Sequence, residues 1–244
     1  MKKIFVSSVL LICFILPSGV LAAFYDVNSK TNYSTSIEWM QENDVIEGYA
    51  DGTFRPDNCV NRAEMLKLLF KVTNTKVDME RGDASAGSGY YDSMVKDIDT
   101  NAWYWKYVRY ALLNGIVQGY EQSDGLLLFK PEQCVTRVEA IKMAMIVFNV
   151  ETFIFEGDHP YLDVKWEEWY YEYLMPAIKH NLLGSEHVTS NNSGEMASLM
   201  FYPNESMPRK EVAEMLYRFK ALKDNAWAES YSPELVPKNL ELTF

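Results

Sequence analysis

The chain has 244 residues, with 23 lysines and arginines against 34 aspartates and glutamates, a formal charge of −11. An acidic chain of this kind lacks the basic face that phosphates demand, so nucleic acid is excluded as an expected partner. Three cysteines are too few for a disulfide framework, while the length suffices for one substantial core or several small repeats.

Met1-Lys2-Lys3, a largely apolar run from Ile4 to Val20, and small residues at Ala22 and Ala23 follow the charge, core and cleavage-site order of a secretory signal. Residues 1–23 are therefore expected to be a signal peptide. Pro17-Ser18-Gly19 interrupts a run already short of the ~20 apolar residues a membrane span needs. No span is expected after processing, and the protein is expected to be secreted. Without Lys2 and Lys3 the 23 basic residues become 21 against 34 acidic ones, a formal charge of −13. Cys59 and Cys134 then remain. An exported protein permits their pairing, but sequence leaves open whether they lie within bridging distance.

Internal similarity organises the rest of the chain. Gly48-Tyr49-Ala50-Asp51-Gly52-Thr53-Phe54-Arg55-Pro56 precedes Asn61-Arg62-Ala63-Glu64. A second copy runs from Gly119-Tyr120 through Asp124-Gly125 and Phe129-Lys130-Pro131 to Thr136-Arg137-Val138-Glu139. The third is looser, with Phe201-Tyr202-Pro203 and then Pro208-Arg209-Lys210-Glu211. The arginines are spaced by 75 and 72 residues, and Cys59 and Cys134 sit three residues before the first two of them. Upstream, Asp26, Asp97 and Asp163 open the three units, and aligning them superposes Tyr33, Tyr104 and Tyr170 and likewise Ile37, Val108 and Leu174. Trp103 and Trp169 coincide, with Asn32 in the first copy.

In chain order this predicts a first repeat over 24–73, a linker over 74–94, a second repeat over 95–150, and a third over 151–223 with a polar insertion at 185–198. An extended tail over 224–244 follows. Each repeat reads as helix, loop, helix. Val108, Leu112 and Ile116 recur at helical spacing, and the Asp-Gly pairs at Asp51-Gly52 and Asp124-Gly125 mark tight turns. Asn61 with Glu64, and Thr136 with Glu139, have the spacing of capping boxes; Pro208 lacks the capping side chain. Met65, Leu69 and Val72, then Ala140, Ala144 and Val147, then Val212, Leu216 and Phe219 form apolar stripes that predict packing of the three second helices.

The glycine-rich loop followed by a Thr-Arg-Ala-Glu helix start resembles the S-layer homology domain, closely in the first two copies and by position in the third. That resemblance implies an all-α fold of three helix-loop-helix repeats in a compact pseudo-threefold arrangement around a central helical bundle. It also implies non-covalent attachment to an anionic secondary cell-wall polysaccharide, including one bearing a pyruvate ketal. Carried over residue by residue, the ligand-binding set becomes Arg62, Arg137, Arg209, Asp26, Asp97, Asp163, Trp103 and Trp169, and the degenerate third copy points to Arg209 as the weakest site.

The residue chemistry is compatible with this. An arginine at a helix start lies beside unpaired backbone N–H groups and can meet a carboxylate in bidentate geometry. The plainer readings are that the arginines form internal salt bridges, the aspartates cap helices, and Trp103, Trp105, Trp166 and Trp169 pack in the core. No metal or cofactor is expected: His159, His180 and His187 show no ligand spacing, and neither Asp-Gly loop has alternating EF-hand ligands. A carbohydrate-active enzyme would need paired catalytic carboxylates in a recognisable setting; equivalent repeated sites suggest holding rather than turnover. A protein partner in the cell envelope, or self-association through the tail, is the rival to a glycan.

Overall fold

The computed structural model describes residues 23–77, 93–154, 159, 161–184 and 200–224. Residues 1–22, most of the expected linker, the insertion at 185–198 and the tail beyond Asp224 lie outside the described residues. Within them are six helices: α1 (Ser34–Glu42), α2 (Arg62–Val72), α3 (Trp105–Leu113), α4 (Arg137–Val147), α5 (Tyr171–Lys179) and α6 (Arg209–Lys223). One small antiparallel hairpin, β1 (Tyr120–Glu121) with β2 (Leu127–Leu128), pairs Tyr120 with Leu128 and Glu121 with Leu127. The fold is all-α in class.

The second helix of each unit starts where the sequence says it should. The Asn61 side chain accepts the Glu64 N–H at 2.8 Å and Glu64 accepts the Asn61 N–H at 3.0 Å. Thr136 and Glu139 repeat the exchange on α4, whereas α6 begins after Pro208 with no side-chain cap. The stripes of these helices are buried except at Val147, which is partly covered. α2, α4 and α6 meet one another through them.

Each first helix packs mainly on the second helix of another unit. α3 lies on α2, α5 on α4, and α1 on α6, burying Ile37, Val108 and Leu174 completely. Backbone bonds close the same cycle. Arg62 N–H donates to Gln133 O at 2.9 Å, Arg137 N–H to Glu205 O at 3.0 Å, and Arg209 N–H to Asn58 O at 2.8 Å. A helix start leaves such N–H groups without intrahelical partners, and here the loop of the next unit supplies the carbonyl. Nearer the centre, Val135 donates to Val60, Met207 to Val135 and Val60 to Met207, a ring of three bonds at 2.9, 3.0 and 3.3 Å. Cys59 and Cys134 flank this ring and are joined by a disulfide, with Cα atoms 5.7 Å apart. That settles the pairing which the sequence left open.

Candidate functional site

The three opening aspartates have one common task. Asp26 accepts the N–H groups of Phe54 and Arg55, both at 2.7 Å; Asp97 those of Phe129 and Lys130 at 2.7 and 2.6 Å; and Asp163 those of Phe201 and Tyr202 at 2.8 and 2.7 Å. In each pair the second residue holds a left-handed backbone, with φ of 59° at Arg55 and 58° at Lys130 and Tyr202. Both oxygens of each carboxylate are thus committed to fixing the loop, not to capping the helix that follows.

Each helix-start arginine reaches across to the loop of the next unit. Arg62 is buried, donates from Nε to Phe129 O at 2.9 Å, and lies over the Tyr120 and Phe129 rings at 4.8 and 4.9 Å. Its Nη1 is 3.1 Å from Glu139. Arg209 repeats the geometry on the first unit: Nε donates to Phe54 O at 2.9 Å, and the guanidinium lies 5.1 and 4.9 Å from the Tyr49 and Phe54 ring centres. Among the described residues no carboxylate pairs with Arg209, which leaves its fork of Nη donors open.

Arg137 differs. It is buried and held by Glu211, from Nε at 3.3 Å and from Nη2 at 3.0 and 3.2 Å. Because arginines serve the following unit, the looseness of the third copy falls on Arg137, which faces it, and not on Arg209, which faces the intact first loop.

Two grooves result. One of about 420 Å³ is lined by Arg62, Gly119, Tyr120, Glu139, Lys142 and Trp169. Another of about 130 Å³ is lined by Gly48, Tyr49, Glu64, Lys67, Lys71 and Arg209. Trp103 and Trp169 are 51% and 50% exposed, each with a lysine ammonium over its face: Lys67 at 5.7 Å and Lys142 at 5.3 Å. They are half-open platforms, whereas Trp105 is the buried one. Gly48 and Gly119 turn the chain into the grooves with φ of 71° and 76°; a Cβ at Gly48 would lie 2.8 Å from Thr53 O.

Tyr120 donates its hydroxyl to Glu139. Burial first, and then that bond, push the Tyr120 pKa up to about 12. Lys71 donates to Glu47 at 2.6 Å, which holds that exposed carboxyl below the usual range.

The third interface is filled. At the position of Lys67 and Lys142 stands Glu214, buried, accepting from Ser36 and from Arg218 Nε at 2.6 Å. Arg218 Nη1 continues to the Asn181 carbonyl and side chain at 3.0 and 2.8 Å. Beside the unmatched Asn32, Tyr33 takes φ of 63°, whereas Tyr104 and Tyr170 are helical, and its hydroxyl lies against Gly184 with no room for a Cβ there. Sequence reasoning passed over Tyr49, Tyr120, Lys67, Lys142, Glu211 and Glu214 as site residues. The contrast of two lysines with one glutamate five residues after the arginine was a signal that could have found the last.

Residues 23–66 and 96–141 match the S-layer homology domain. The chain is 26% identical over 208 residues, 84% of its length, to the surface-layer 125 kDa protein of Lysinibacillus sphaericus, and 25% identical over 226 residues, 91% of its length, to an S-layer protein of Bacillus licheniformis. It is 26% identical over 120 residues, 49% of its length, to a cellulosome-anchoring protein of Acetivibrio thermocellus. It spans 15%, 22% and 24% of the lengths of these relatives respectively. Over these two stretches the chain carries S-layer homology domains, which together with the S-layer relatives make it a protein of the cell surface.

Proposed function

We propose that this chain anchors non-covalently at the cell surface by holding an anionic secondary cell-wall polysaccharide in the grooves built on Arg62 and Arg209. The observation that carries the reading is that both grooves hold an arginine at a helix start, a tyrosine beneath it and a lysine; that lysine lies over a half-exposed tryptophan, Trp169 lining the Arg62 groove and Trp103 beside Lys67 of the other. A sugar carboxylate such as a pyruvate ketal suits the arginine fork and the lysine, and the tryptophan face suits the apolar side of the ring. The polymer sits on an otherwise acidic chain, so its grip is local.

Arg137 and the three aspartates serve structure in this reading. The cyclic contacts support a pseudo-threefold arrangement in which the third unit completes the ring while its own interface is locked. Leu162 and Trp166, 68% and 69% exposed, favour a second reading in which the chain holds a protein of the envelope. Co-sedimentation with cell walls before and after chemical removal of the polysaccharide separates the two. Loss of binding with the polymer supports the glycan, and undiminished binding to stripped walls supports the protein partner.

A further inference from the structure

We propose that the Cys59–Cys134 disulfide is a redox-sensitive clamp chiefly on the Arg62 groove, so that reduction loosens this groove far more than the Arg209 groove, whose helix start meets only the Cys59 side of the bond, through Asn58. Its consequence for binding rests on the polysaccharide reading above; its structural half does not.

Cys59 stands three residues before Arg62, and Cys134 lies in the second loop, between Phe129, whose carbonyl holds Arg62 Nε, and the α4 cap Thr136. The bond therefore ties together the two segments that frame the arginine, across a sequence separation of 75. Between them run the bonds from Arg62 N–H to Gln133 O at 2.9 Å and from Ala63 N–H to Pro131 O at 3.1 Å. The other two interfaces have these hydrogen bonds without a covalent link, because the third unit carries Ser206 at the cysteine position. One of those interfaces has the buried network of Glu211, Glu214 and Arg218 in compensation. The Arg62 interface, like that of Arg137 with Glu211, has a buried arginine whose neutralising carboxylate, Glu139, comes from the next unit, so separation of the two segments would unpair a buried charge.

Both cysteines are partly exposed, so a small dithiol can reach them. A thiolate of the dithiol attacks one sulfur, and the other cysteine leaves as a thiolate that takes a proton. The second thiol of the reagent then closes on the mixed disulfide and releases the first cysteine. Two electrons and two protons pass to the protein, and the reagent leaves as its own disulfide.

Native-state hydrogen exchange on the oxidised chain, the dithiothreitol-reduced chain and the C59S/C134S variant reads the clamp directly. The amides of Arg62 and Ala63 are expected to exchange about tenfold faster without the bond, while those of Arg209 and Lys210 stay within about twofold. Equal acceleration at both helix starts, or none, overturns the clamp. For binding, R209A retains only the Arg62 groove and R62A only the Arg209 groove. Reduction should weaken binding of purified acidic wall polysaccharide to R209A about tenfold and to R62A by no more than about twofold. Unaltered binding by reduced R209A overturns redox control of the groove. Failure of the oxidised wild-type chain to bind would instead remove the polysaccharide reading, while the exchange result still decides the clamp.

Discussion

Replacing Asp97 by asparagine separates a loop-fixing role from a ligand-binding one. The side chain keeps its shape and one acceptor, but its amide nitrogen must now face either the Phe129 or the Lys130 N–H, where the carboxylate accepts both at 2.7 and 2.6 Å. A hydrogen bond to a charged group contributes about 1.5–3 kcal/mol, and the abandoned donor adds a desolvation cost, so a loss of about 2–4 kcal/mol is expected. With a urea slope of about 2 kcal/mol/M, the unfolding midpoint should fall by about 1–2 M with the slope unchanged. Asp26 and Asp163, with the same pair of bonds, should behave alike. An unchanged midpoint together with lost wall binding would refute the reasoning and return the aspartates to the ligand.

The locked interface makes a parallel prediction. Glu214→Ala leaves the buried Arg218 without its carboxylate and should cost about 3–5 kcal/mol, against about 1 kcal/mol for Glu64→Ala, which removes half of a capping box. Equal losses in chemical denaturation would show that the network is not what holds the third interface. On the alkaline side, the pKa of Tyr120 is raised from 10.0 to about 12 by burial and then by the Glu139 bond, and that of Tyr161 to about 12 by burial and then by Asp163. The unfolded chain gives up these protons first, so their contribution is complete below pH 10.0 and is lost between there and about 12. Tyr120→Phe should accordingly show a shallower fall of stability over that window, and a fall as steep as that of the wild type would contradict the assignment.

Local features of the fold were legible because their causes are local. The capping boxes at Asn61 and Thr136, the missing cap at Pro208 and the stripes on α2, α4 and α6 follow from spacing alone. The cyclic exchange between units was not, since nothing near Arg209 in sequence announces that its partner is Phe54 O, 155 residues away. That one displacement moves the decayed interface from Arg209 to Arg137. Cys59 and Cys134 meet because equivalent positions converge on the central ring, a consequence of symmetry in space rather than of spacing. From sequence, Trp103 and Trp169 read more readily as core than as platform; their half exposure and the lysines over their faces turn that reading around.

The central claim is that two grooves, not one or three, hold the wall polymer. Isothermal titration of the oxidised chain with short acidic oligosaccharides released from the wall polysaccharide tests it most directly. Two molecules are expected to bind per chain, one after either Arg62→Ala or Arg209→Ala, none after both, and two still after an Arg137→Ala variant that remains folded. Binding that survives the double substitution, or a third molecule lost with Arg137, would contradict it.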